Sequence, residues 1–171
     1  GGGADTVPGL DRKNAIMSTP RDVVNSFLIA PAGDPEQAVE RVRSFISPSM
    51  AEDWKPSSEI NIVRLDEEPN ITQVESGSFT VVLGVQHVGV LSDSGSVDPP
   101  NNEEREYTLT IGEVTGQTGL WVTNAPPLLL LRDRALDRYE PTSVYFWNKD
   151  HTALVPDLRW LPLSISAERR P

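Results

Sequence analysis

No cysteine occurs anywhere in the 171 residues. That excludes disulfides, thiolate nucleophiles and thiolate metal ligands together. Histidine is nearly as scarce, and His87 and His151 leave little material for a zinc site. No apolar run approaches the ~20 residues that a membrane-spanning helix needs. Basic stripes are missing too. The formal net charge is −10, which argues against nucleic acid as a partner.

What the chain does hold is turn-forming: 15 prolines and 12 glycines, with 37% hydrophobic residues. The length suits one domain, or one domain and part of a second. The chain opens Gly1-Gly2-Gly3-Ala4 without an initiator Met and closes Arg169-Arg170-Pro171, so it reads as a piece of a larger protein. Its acidity is uneven. Residues 65–127 hold ten acids against the single base Arg105, a local charge of −9, whereas residues 128–171 hold seven bases and six acids. A solvated face that aids solubility would explain this. An acidic face for a basic partner would also explain it, with Glu103, Glu104 and Glu106 as candidate contacts.

Residues 1–17 look like a flexible tether of glycines, Pro8 and mixed charges with no apolar period. The fold begins at Thr19-Pro20-Arg21-Asp22, a helix cap followed by proline in the first turn and an acid near the positive end of the dipole. Val23, Val24, Phe27 and Leu28 form one stripe at helical spacing. Asp34-Pro35-Glu36-Gln37 repeats the start signal as a capping box, before a stripe of Ala38, Val39, Val42, Phe45 and Ile46. A third short helical piece carries Met50 and Trp54.

After that the period changes to two. A strand over 59–65 switches face at Ile62-Val63, which predicts a bulge or burial on both sides. Further strands are expected at 71–75 and 79–91, then a hairpin of 107–111 with 120–123. In the long strand, Val81, Leu83, Val85 and His87 alternate against Val82, Gly84, Gln86 and Val88. Gly84 and Gly89 let that strand bend, as a curled sheet requires. Asn124-Ala125-Pro126-Pro127 reads as a connector, open to proteases, because paired prolines cannot continue a central strand. Next, 128–139 reads as a helix whose apolar side, with Leu128 and Leu131, could dock its own sheet or a neighbour. A hairpin of 144–147 with 152–155 follows.

The expected fold is therefore α+β: N-terminal helices packed on a curled antiparallel sheet, followed by a helix and a β-hairpin. The order is a tether over 1–17, a curled domain over 18–125, and 128–171 as the start of a second unit or a strap on the first. The cone-shaped folds of the nuclear-transport-factor type have this shape, although a fold does not fix a function.

Catalytic patterns are missing from the sequence. It carries no nucleophile elbow, no His pair at metal spacing and no phosphate-cradling glycine loop. Asp66-Glu67-Glu68 and Glu103-Glu104-Arg105-Glu106 offer carboxylates, but in polar turns that seldom raise a pKa. His87 reads as a hydrogen-bonded structural histidine. The expectation is a non-catalytic domain with no cofactor and no metal.

Several segments together resemble the LpqB lipoprotein family of actinobacteria. They are Thr19-Pro20-Arg21-Asp22-Val23-Val24, Gly89-Val90-Leu91, Gly119-Leu120-Trp121-Val122 and Arg138-Tyr139-Glu140-Pro141. Val144-Tyr145-Phe146-Trp147 with Leu154-Val155-Pro156-Asp157-Leu158-Arg159-Trp160 is the most specific. The resemblance covers 18–171 and implies a lipid anchor on a cysteine before Gly1, palmitate included, with a GerMN-type domain and a propeller downstream. It also implies a place on the extracytoplasmic face of the cell membrane and association with the sensor kinase MtrB, hence a role in envelope signalling. Three readings stand: an interaction module that modulates a sensor kinase, a pocket for a small envelope-derived lipid or peptidoglycan fragment, and a hydrolase or isomerase built around His87.

Overall fold

The computed structural model of the protein describes residues 9–15, 17–100, 103 and 105–162. Three short helices come first. In α1, Pro20–Phe27, Thr19 Oγ1 accepts from the Asp22 N–H at 3.2 Å, and proline occupies the first turn where no intrahelical donor is missed. Val23, Val24, Phe27 and the following Leu28 are all buried. The second start is tighter than its sequence promises. Asp34 Oδ1 accepts from Glu36 N at 3.0 Å, and a 3-10 turn, Pro35–Gln37, replaces the expected capping box before α2, Ala38–Arg43. The last helix, α3, is Pro48–Ala51, after which Trp54 is buried with Nε1 donating to Pro126 O at 3.0 Å.

Seven strands make one sheet: β1 Ile60–Leu65, β2 Asn70–Glu75, β3 Ser78–Leu91, β4 Val97–Asp98, β5 Glu106–Glu113, β6 Leu120–Asn124 and β7 Leu129–Arg132. Its main order is β6-β5-β3-β1-β7. The strands β1 and β2 lie end to end along one side of β3, antiparallel to it, with β5 on the other side. Residues 66–69 bulge out between them, and Asp66 N–H donates to Gly84 O at 2.9 Å. The register slips at Ile62/Val63, as the change of face predicts, and again at Gln73/Glu75 and Thr110/Ile111. Each slip adds local twist, so the sheet curls into a half-barrel. Gly89 contributes by letting β4 approach: a Cβ there would sit 3.1 Å from Asp98 O.

The hollow of the curl is filled. Val81, Leu83 and Val85 of β3, Leu109 and Ile111 of β5 and Val122 of β6 meet the helices through Phe27, Leu28, Phe45, Ile46 and Trp54. This is the α+β arrangement expected from helices followed by an antiparallel meander.

Two expectations are corrected. Residues 128–139 form no α-helix. Residues Leu129–Arg132 are β7, which runs parallel to β1 with Ile60 opposite Leu129, and a 3-10 helix, Asp133–Arg138, follows. Leu129, Leu130 and Leu131 are each no more than 1% exposed, so both faces of β7 are covered. A strand buried on both faces needs a continuous apolar run and carries no period of two. Residues 9–15 and Met17 are likewise more than a tether. Arg12 donates from Nη1 to Leu120 O and from Nη2 to Thr118 O, both at 2.8 Å, and its guanidinium lies 3.5 Å from the Trp121 ring centroid. Leu120 N–H returns a bond to Met17 O at 3.1 Å. Gly119, at φ +76°, makes the turn that presents those carbonyls.

Residues 124–127 are held as well. Ala125 is buried, and Pro126 receives the Trp54 bond. Beyond β7, strands β8 Tyr139–Trp147 and β9 Leu154–Pro162 form the hairpin, pairing Trp147 with Leu154. It touches the rest through Trp160 N–H to Gly95 O at 2.7 Å.

Candidate functional site

Nine of the ten acids in 65–127 have exposed side chains; Glu104 lies outside the described residues. They fall where strands turn. Asp66, Glu67 and Glu68 occupy the bulge between β1 and β2, and Glu75 ends β2. Asp93 precedes β4 and Asp98 ends it. Glu103 precedes β5, Glu106 begins it and Glu113 ends it. Among the described residues only Glu68 of this set is in an ion pair, with Arg21 at 3.3 Å and Arg132 at 3.6 Å. Exposed pairs of this kind contribute ~0–1 kcal/mol. The remaining carboxylates keep their charge facing water, and only Arg105 opposes them within 65–127.

Leu131 cannot serve as a partner contact, since it lies in β7 and is 0% exposed. Leu128 is half-buried and packs against the same core. The two leucines therefore belong to the fold, and the acids Glu103 and Glu106 are the candidate contacts that stay exposed.

His87 occupies an inward position of β3 near the rim of the curl. Nε2 lies 2.8 Å from Tyr107 Oη, and the rings meet edge to face, centroids 5.7 Å apart at 70°. Tyr107 is the inward residue of β5 next to Glu106; the register sets it opposite Leu83, and its side chain reaches along the sheet to the ring of His87. Beside them a groove of ≈ 540 Å³ is lined by Gln86, His87, Pro100, Glu103 and Arg105. Its imidazole, amide, carboxylate and guanidinium could hydrogen-bond a polar ligand. A second groove of ≈ 780 Å³ runs between residues 17–20, 75–79 and 112–115. Neither is the deep apolar cavity that a lipid-binding pocket would present. Burial lowers the pKa of Arg12 below the ordinary arginine value, while the stack on Trp121 and both carbonyl bonds hold the group in place. Among the described residues no group of three or more His, Asp or Glu is placed to hold a metal ion. No helix there is long and apolar enough to cross a membrane.

The fold and its exposed carboxylates define a small α+β module with a filled curled sheet and an acidic periphery. The chain belongs to the LpqB lipoprotein family, since residues 17–137 match that family's "Lipoprotein LpqB, N-terminal domain". The match takes in β7 and stops before β8. Lipoprotein LpqB of Thermobifida fusca (strain YX) is 28% identical over 140 residues, covering 77% of this chain and 22% of that protein. Lipoprotein LpqB of Rhodococcus jostii (strain RHA1) is 26% identical over 179 aligned positions, covering 93% of this chain and 29% of the relative. The chain thus spans between about a fifth and a third of the length of these relatives. No solved structure matches, so the likeness to nuclear-transport-factor folds has no support from that side.

Proposed function

We propose that this domain is a non-catalytic interaction module on the extracytoplasmic side of a membrane-anchored lipoprotein, and that it modulates a sensor kinase of the MtrB type in envelope signalling. One observation carries the reading beyond family membership. A charge of −9 is concentrated in 65–127, and the nine acids described there have exposed side chains that are largely unpaired with cations. Opposite potentials raise association rates more than final affinity, and salt screens them over ~8–10 Å at ordinary ionic strength. A partner's extracytoplasmic part should then present a basic or polar surface. The groove beside His87 and Tyr107 favours a second reading, a site for a small polar envelope fragment.

The test is the association rate of the domain with the sensor's extracytoplasmic part, followed at low and high salt. Glu103→Gln, Glu104→Gln and Glu106→Gln together remove three charges at constant size, so folding should change little while association slows and loses part of its salt dependence. A triple variant that matches the parent at both salt concentrations would reduce the acidic face to a solubility device.

A further inference from the structure

The sheet treats its free edges unequally. On β6 the far side is covered: Val122 N–H donates to Phe45 O and Ser47 N–H to Val122 O, both at 2.8 Å, while Arg12 takes the Leu120 and Thr118 carbonyls. On β7, Arg132 N–H is tied to Leu28 O at 2.9 Å. For β2 the only strand partner among the described residues is β3. Its other edge is solvent-facing, with Val74 59% exposed. Natural sheets usually blunt such edges with lysine or proline. The strand Asn70-Ile71-Thr72-Gln73-Val74-Glu75 has neither, and its one irregularity lies at the far end between Gln73 and Glu75.

Acids bracket this edge. Asp66 and Glu67 stand before it without an ion-pair partner among the described residues, and Glu75 stands at its end, with Glu113 of β5 near the β2–β3 turn. Glu113 reaches over the β2–β3 turn, where a Cβ on Gly77 would meet its Oε2 at 2.8 Å. From Asn70 to Glu75 the strand covers ~17 Å. A second copy of this chain is a poor occupant, because each copy carries −10 and would bring like-charged ends together.

We propose that the edge of β2 accepts an extended segment of a protein partner as an added strand, with β-branched residues along the edge and basic residues at both ends. The inference rests on the interaction-module reading and says where the partner docks. Main-chain bonds to Asn70–Glu75 supply the affinity, and the bracketing carboxylates select for charge.

The probe is a ten-residue synthetic peptide with two lysines at each end and alternating isoleucine and threonine between, titrated into the isotope-labelled chain. Amide shifts and slowed exchange should concentrate in residues 70–75. Methylating alternate peptide nitrogens should weaken binding at least ~tenfold, since each lost main-chain bond counts. Val74→Lys should weaken it at least ~fivefold, whereas Val88→Lys, an equal charge on another exposed strand position, should leave it within ~twofold. Binding unaffected by methylation, shifts centred elsewhere, no binding at millimolar peptide, or concentration-dependent self-pairing of β2 would each overturn the proposal. The sensor's own domain separates the two claims. If it binds the parent and Val74→Lys equally, the edge proposal fails alone. If the peptide pairs with β2 but the sensor does not bind, the kinase reading fails alone.

Discussion

Replacing Arg12 by alanine isolates what the N-terminal segment contributes. The guanidinium makes a half-buried bond to Leu120 O, an exposed one to Thr118 O and a stack on Trp121. A half-buried bond from a charged donor contributes about 1.5 kcal/mol, the exposed one about half that, and the stack on an accessible ring ~0.5–1 kcal/mol. The sum is roughly 3 kcal/mol, which raises the population with this segment detached by ~150-fold. Local opening should outrun global unfolding, because the core below β6 stays intact without the segment. The Leu120 amide is the best reporter, since its N–H donates to Met17 O in the docked state. Hydrogen exchange at Leu120 should accelerate by about that factor while the urea midpoint moves less. Arg12→Lys should restore less than half of the effect, because one ammonium cannot bond two carbonyls and stack as well. Unchanged exchange at Leu120 in Arg12→Ala would refute the docking and return the segment around Arg12 to a tether.

Leu131→Ala should cost ~2–5 kcal/mol in a denaturant titration, because the side chain is wholly enclosed and leaves a cavity. A loss below ~0.5 kcal/mol is what a surface contact would give, and would contradict the placement of β7. In limited trypsin digestion, Arg105 and Lys149, exposed at a strand entrance and a hairpin tip, should be cut before Arg132, which is mostly buried and tied by its N–H to Leu28. Early cleavage at Arg132 would mean that β7 does not hold its edge of the sheet.

The helices and the meander were readable because each buries one face. Val23, Val24 and Phe27 repeat at helical spacing, and Val81, Leu83 and Val85 repeat at two. Even the bulge at Ile62/Val63 shows as a change of face. Leu128-Leu129-Leu130-Leu131 hides its structure for the opposite reason. A short apolar run buried all round has no period, and charged neighbours then favour a helical reading. Arg12 was unreadable because its partners are backbone carbonyls over a hundred residues away, and a carbonyl leaves no mark on sequence. The His87–Tyr107 pair lay in between. Both residues sit at inward positions of adjacent strands, but the register sets Tyr107 opposite Leu83, and only the side-chain geometry brings it to His87. Of the candidate contacts, the acids were legible as exposed from charge density alone, whereas the leucines needed the tertiary fold to show that they face inward.

The parallel pairing of β7 with β1 bears on how the chain folds as it is made. Asn61 Nδ2 reaches Leu129 O across 68 residues, and every other strand of the large sheet lies between the two in the chain. A polypeptide emerging from its N-terminus can therefore complete the whole meander and still have Ile60, Ile62 and Val63 open along one side. Such long-range closure is slow, and the waiting intermediate exposes the surface that aggregates or is gripped by chaperones. The folding unit ends only when Arg132 has emerged. A chain stopped at the proline pair would carry all the strands of the meander and lack the leucines that seal them.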